Sequence, residues 1–207
     1  MASKLNSRRR LLRFKRSLAK AIRILSVAPI MALIVFSVMY LFCDVFSGIG
    51  EYISAIIFIV LIPISAYPLQ PIIPHFKNKG REGQRTLAMI LSVTGYLLGF
   101  IYALVFSVSD TLFTIFATYL LSGILIFVFN KLLHFRASGH ACGAAGPIGV
   151  LIHSIGLTAT GALTAVIGIL VLCSVFWATL KTHSHTTAQF IVGGLIPIIL
   201  YYTLTLI

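Results

Sequence analysis

The chain has 207 residues, a formal net charge of +12, 59% hydrophobic residues, only 10% charged ones and a mean hydropathy of +1.05. An average soluble domain carries about 25% charged residues, so this composition excludes a water-soluble globule. The positive surplus leaves two readings: a nucleic-acid binder, or a membrane protein whose cations sit in the loops of one face.

Nine of the sixteen basic residues lie in the first 25 (Lys4, Arg8, Arg9, Arg10, Arg13, Lys15, Arg16, Lys20 and Arg23), with no acid among them. A mitochondrial presequence shares that composition. The long apolar run that follows directly favours a juxtamembrane basic helix on anionic lipid, and no secretory cleavage site is evident. Residues 1–25 are therefore read as a basic juxtamembrane segment and 26–207 as one transmembrane domain. Apolar stretches follow at about 26–47, 52–74, 87–108, 111–130, 138–156, 158–180 and 186–207, against about 20 residues needed to span. The second is interrupted by Pro63, Pro68, Pro71 and Pro74 and is expected to kink. The fifth is rich in small residues (Gly139, Gly143, Ala144, Ala145, Gly146, Gly149), which suits close helix packing. In a six-span arrangement it is the one that crosses only partly. The expectation is an all-α polytopic bundle of six or seven spans.

The remaining cations decide between the two readings. Lys77, Lys79, Arg81 and Arg85 fall between spans two and three, Lys131 and Arg136 between four and five, and Lys181 between six and seven. With seven spans all of them share the side of the N-terminus. The opposite turns hold no Lys or Arg, and three of the four acids (Asp44, Glu51, Asp110) lie towards them. The positive-inside rule then places the N-terminus and these loops in the cytosol and the C-terminus across the membrane. Nucleic acid is set aside as a partner. Cys43, Cys142 and Cys173 show no metal-type spacing and read as small buried packers.

Three polar loops on the basic side carry the candidate chemistry. In His75–Thr86, Arg81 and Arg85 are four apart and share a helix face if span three begins early, a suitable clamp for phosphate oxygens; a plain topology loop is the alternative. In Arg136-Ala137-Ser138-Gly139-His140, Ser138 suits an N-cap and Gly139 allows a ligand close to the backbone. The helix start favours an anion, to which His140 could donate a proton. In Lys181–Gln189, His185 and Gln189 are four apart, so the Gln oxygen can accept the ring N–H and turn the other nitrogen outward. His183 and His185 lack a cysteine or carboxylate partner for metal, and no metal or other cofactor is expected. His153 is expected to make an interhelical hydrogen bond inside span five, and His75 and His134 to be interfacial.

The order of these loops resembles the type 2 phosphatidic acid phosphatase superfamily, membrane lipid phosphatases that share a helical core with vanadium haloperoxidases. Its motifs read K-x6-R-P, P-S-G-H and S-R-x5-H-x3-D. Here a basic loop ends in Arg85, followed by Ala137-Ser138-Gly139-His140 and His185-Thr186-Thr187-Ala188-Gln189. The resemblance spans about residues 75–195 and is to a divergent branch that pairs SGH with HTxxQ. It implies His185 as nucleophile, His140 as the acid on the leaving group, Ser138 and Gly139 as the phosphate-binding turn, and Arg85 as the first-motif arginine. Lys79 or Arg81 stands for the first-motif lysine. Thr86 and Ala137 replace prolines, Ala178-Thr179 replace the third-motif Ser-Arg, and Gln189 replaces its Asp. Lys181 is the nearest substitute for the missing arginine. The implied activity is metal-independent hydrolysis of a lipid phosphate or isoprenyl diphosphate through a phosphohistidine. The alternative is an inactive homologue that binds or transports a lipid phosphate.

Overall fold

The computed structural model describes residues 2–207, with side chains described at residue 10 and from residue 13 onward. It is 81% helical, and no strand occurs among the described residues. In chain order the helices are α1 (Ala2–Leu25), α2 (Ala28–Phe42), α3 (Ile49–Leu69), α4 (Pro74–Lys77), α5 (Gly80–Val105), α6 (Asp110–Lys131), α7 (Gly139–Ile155), α8 (Ala159–Lys181) and α9 (Thr187–Leu204).

Five of them, α3, α5, α6, α8 and α9, are long and apolar enough to cross a membrane. A sixth span results if Arg13–Leu25 and α2, bent by 63° at their junction, are taken together. The protein is thus an all-α integral membrane bundle. At 17 residues, α7 is about 25 Å long and is the short member of the set. It packs against α2, α6, α8 and α9, and its small residues Ala141, Gly143, Ala144, Ala145 and Gly146 are buried. The stretch rich in Gly and Ala is therefore an inner strut.

Local chemistry sets the boundaries. Ser109, Ser138, Thr158 and Thr186 each cap a helix by accepting a backbone N–H. The α1–α2 bend falls at buried Ser26, just ahead of Pro29 in the first turn of α2. In α3 a π-helical stretch at Ile56–Leu61 precedes Pro63, and the segment after Leu69 breaks into turns before α4, where the prolines cluster. The α5 helix begins at Gly80, seven residues ahead of the apolar run, so Arg81 and Arg85 do sit on one helix face.

The two ends of the bundle differ in charge. At one end Glu51, in the first turn of α3, accepts from Ser47 N (3.0 Å), Ser109 N (2.6 Å) and Ser109 Oγ (2.7 Å), tying the starts of α3 and α6 together. An aromatic-rich core lies behind it, with Phe36, Phe46, Phe116, Tyr119 and Tyr201. The other end gathers the basic loops.

Two sequence expectations change. In the last turn of α7 the His153 ring makes no hydrogen bond among the described residues. It is exposed and meets the rings of Tyr201 and Tyr202 edge-on at 5.4 Å. Cys173 is exposed, whereas Cys43 and Cys142 are half-buried.

Candidate functional site

The site forms where the starts of α7 and α9 meet the ends of α1 and α8. Ser138 is fully buried; its Oγ accepts from Ala141 N at 3.3 Å, and its N–H donates to Gln189 O at 2.9 Å. That bond stitches the start of α7 to the start of α9. The approach needs Gly193, because a Cβ there would lie 2.7 Å from Ser138 N and against its carbonyl oxygen. Beyond Ser138, open space surrounds Gly139.

His185 Nδ1 lies 3.0 Å from Arg136 O. A carbonyl only accepts, so Nδ1 carries the proton and Nε2 is left with its lone pair. The role that spacing assigns to Gln189 is thus filled by a backbone oxygen. Gln189 instead completes a capping box: its Oε1 accepts from Thr186 N (3.1 Å), and its N–H donates to Thr186 Oγ1 (3.3 Å). Burial lowers the His185 pKa and the charges of Arg136 and Arg85 add to it, while the Arg136 carbonyl and the Gln189 side chain pull the other way. A cavity of about 350 Å³ opens beside this ring, lined by Arg136, Leu180, His183, Ser184, His185, Thr186 and Gln189.

His140, in the first turn of α7, is partly buried, with Nε2 3.4 Å from Arg23 Nη2. A guanidinium only donates, so this nitrogen accepts and the ring is neutral. Nδ1 is buried without a hydrogen-bond partner of good geometry, although the Ser26 backbone is near enough to favour protonation. Burial first, then the Arg23 charge and, to a smaller extent, those of His185 and Arg85 push the His140 pKa down to about 4. The charge of His185 therefore bears on His140, and that of Arg85 bears on both rings.

The other sequence candidates separate. Arg81 reaches only the surroundings of Arg23. Lys79 donates to His75 Nε2 at 2.9 Å within its own loop. Lys181 closes α8 and makes no side-chain hydrogen bond among the described residues. Thr179, at the position of the missing third-motif arginine, is fully buried with an unpartnered Oγ1. His183 ends α8 at φ +49°, with its N–H on Leu180 O and the next N–H on Thr179 O, a Schellman motif. It faces the cavity as part of a turn, and no cluster of three or more metal-ligating side chains exists among the described residues.

Sequence reasoning missed Arg23. Composition places it with the surface anchor, yet its Nη1 donates to Thr182 Oγ1 at 3.2 Å and its Nη2 faces His140. Its position at the last turn before the Ser26–Pro29 bend was the available signal.

These features define a polytopic helical membrane protein with a neutral histidine pair inside a cluster of arginines. No family model, curated protein or solved structure matches the chain.

Proposed function

We propose that this protein is a lipid phosphatase that hydrolyses a lipid monophosphate or diphosphate through a phosphohistidine. The observation that carries the reading is the His140–His185 pair, with His185 Nδ1 fixed on Arg136 O and Arg85 acting on both rings. The lone pair of His185 Nε2 attacks phosphorus, an N–P bond forms and the P–O bond to the lipid breaks. The lipid oxygen takes a proton from His140. Water then attacks the phosphohistidine and gives its proton to His140, the N–P bond breaks, and phosphate leaves. Arg85 holds the phosphoryl oxygens through both steps. His140 is neutral before substrate arrives; a phosphate dianion beside Arg23 and Arg85 offsets their field and favours the imidazolium.

The lipid part of the reading rests on the α8–α9 seam. A second, apolar cavity of about 300 Å³, lined by Ile169, Leu172, Cys173, Phe176, Thr187, Phe190 and Ile191, lies along the same two helices as the polar one. An acyl or isoprenoid chain fits its lining, with the phosphate at His185.

Purified protein is expected to release phosphate from lipid phosphates in the presence of EDTA. His185→Ala should lower turnover by about 10³-fold or more; turnover within tenfold of the parent overturns the mechanism. A second reading, lipid-phosphate binding without hydrolysis, is favoured by one observation: a carbonyl and a carboxamide stand at His185, where a carboxylate would stabilise its cation. It is distinguished by vanadate binding without phosphate release.

A further inference from the structure

The phosphatase reading uses His140, His185 and Arg85, and it gives Arg23 only a charge beside His140, with no contact to the phosphate. Arg23 is the last basic residue of α1, a helix that packs against α8. Its placement is tightly determined. Gly143 of α7 sits so close to the start of α2 that a Cβ there would lie 2.6 Å from Ala28 Cα. The chain then turns through 63° at Ser26–Val27. One turn before each of these contact points stand His140 and Arg23, and the two meet.

An arginine held in a partly buried position for structural reasons is normally matched by a carboxylate. Arg23 is not. The charges acting on it are those of Arg85 and Arg81, which repel it. Asp44, Glu51 and Asp110 lie towards the other end of the bundle, and Glu82 is exposed in the first turn of α5. The neutral partners of Arg23 are at 3.2 and 3.4 Å, and its Nε is buried with no partner among the described residues. The Nδ1 of His140, which itself contacts Arg23, and the Oγ1 of Thr179, one helical turn before Thr182, are also buried without a hydrogen-bond partner among the described residues. Converging like charges together with unfilled donors describe a place built for an anion.

We propose that Arg23 is a phosphate-binding residue of this site, so that the N-terminal helix closes the headgroup pocket against the end of α8. The proposal rests on the phosphatase reading for the identity of the anion. The five donors of Arg23, spread over three nitrogens, can reach two phosphoryl oxygens while one stays on Thr182, whereas an ammonium presents its three donors from a single nitrogen. The basic N-terminal segment is then part of the site as well as a surface anchor.

The test is orthovanadate affinity of the full chain in lipid nanodiscs, measured by calorimetry, for the parent, Arg23→Ala and Arg23→Lys, alongside phosphate release. Arg23→Ala should weaken vanadate about tenfold or more, Arg23→Lys should fall between, and millimolar guanidinium should restore the Ala variant without affecting the parent. Arg23→Lys keeps the helix and its charge, so it carries the test if the Ala variant does not fold. Vanadate affinity in both variants within twofold of the parent overturns the proposal, and so does a loss that guanidinium leaves unchanged. If the parent releases phosphate while the variants bind vanadate normally, Arg23 alone is rejected. A parent that neither binds vanadate nor releases phosphate rejects both readings. Binding that depends on Arg23 without any release supports the proposal and rejects hydrolysis.

Discussion

His183 and His140 show how one residue type serves two ends within a single site. His183 occupies the left-handed position of a Schellman turn at φ +49°, a backbone that costs an L residue with a Cβ about 1 kcal/mol and that glycine adopts freely. His183→Gly should therefore keep phosphate release and gain up to about 1 kcal/mol in thermal unfolding; loss of turnover would give this ring a chemical role. His140 should show itself through pH. Its folded pKa, about 4, lies below the ordinary 6.5, so the unfolded chain binds the extra proton first. The stability it contributes is complete above pH 6.5 and is lost as pH falls towards 4, a change of about 3 kcal/mol. A His140→Gln variant should lose most of that slope in thermal unfolding followed from pH 7.5 to 4.5; a slope equal to the parent's would contradict its burial as the neutral form. Ser138 was legible because an N-cap is a local device, and so was the outward-turned nitrogen of His185. The agent that turns it was not, because Arg136 O is 49 residues away and a carbonyl has no sequence signature. The Thr186–Gln189 capping box was readable from T-x-x-Q spacing, which competes directly with the i, i+4 reading of His185 and Gln189.

The helices themselves were largely written in the apolar runs, with boundaries displaced where caps or prolines intervene. The span expected at 52–74 ends at Leu69 because Pro68, Pro71 and Pro74 remove donors in succession, and α5 reaches back to Gly80 because charged residues are good helix formers. What the runs could not show is which glycines face a neighbour. Gly193 and Gly194 are adjacent in sequence and opposite in consequence. A methyl group on Gly193 would collide with the Ser138 backbone, whereas one on Gly194 meets only Ala145 Cβ and Ala141 Cβ at 3.8 and 3.9 Å. Gly193→Ala should thus separate the starts of α7 and α9, cost about 1–3 kcal/mol and weaken phosphate release. Gly194→Ala should be neutral or stabilising by up to about 1 kcal/mol. Thermal unfolding and turnover of the two variants side by side check this, and equal behaviour would mean that the Ser138–Gln189 stitch does not position the site.

Across the whole molecule, the structure separates two ends of unlike charge. Arg23, Arg85 and Arg136 gather around the histidines, while Glu51 at the far end accepts hydrogen bonds from the loop before α3 and from the cap of α6. Cations resist transfer across a bilayer during insertion far more than these few acids do, so the arginine end should remain cytosolic. This is also the end at which α1 could meet anionic lipid headgroups, each Lys or Arg near that surface contributing about 1 kcal/mol of attraction. Orientation can be read with single cysteines in a background where Cys43, Cys142 and Cys173 are replaced by serine or alanine. Ser107→Cys lies in the exposed turn between α5 and α6, and Asn78→Cys in the exposed basic loop before α5. An impermeant maleimide added to intact cells should label position 107 and spare position 78 until the membrane is opened. The reverse pattern would invert the bundle. The histidine pair would then work on lipids of the outer leaflet, and the charge surplus of the chain would have to be explained by something other than its insertion.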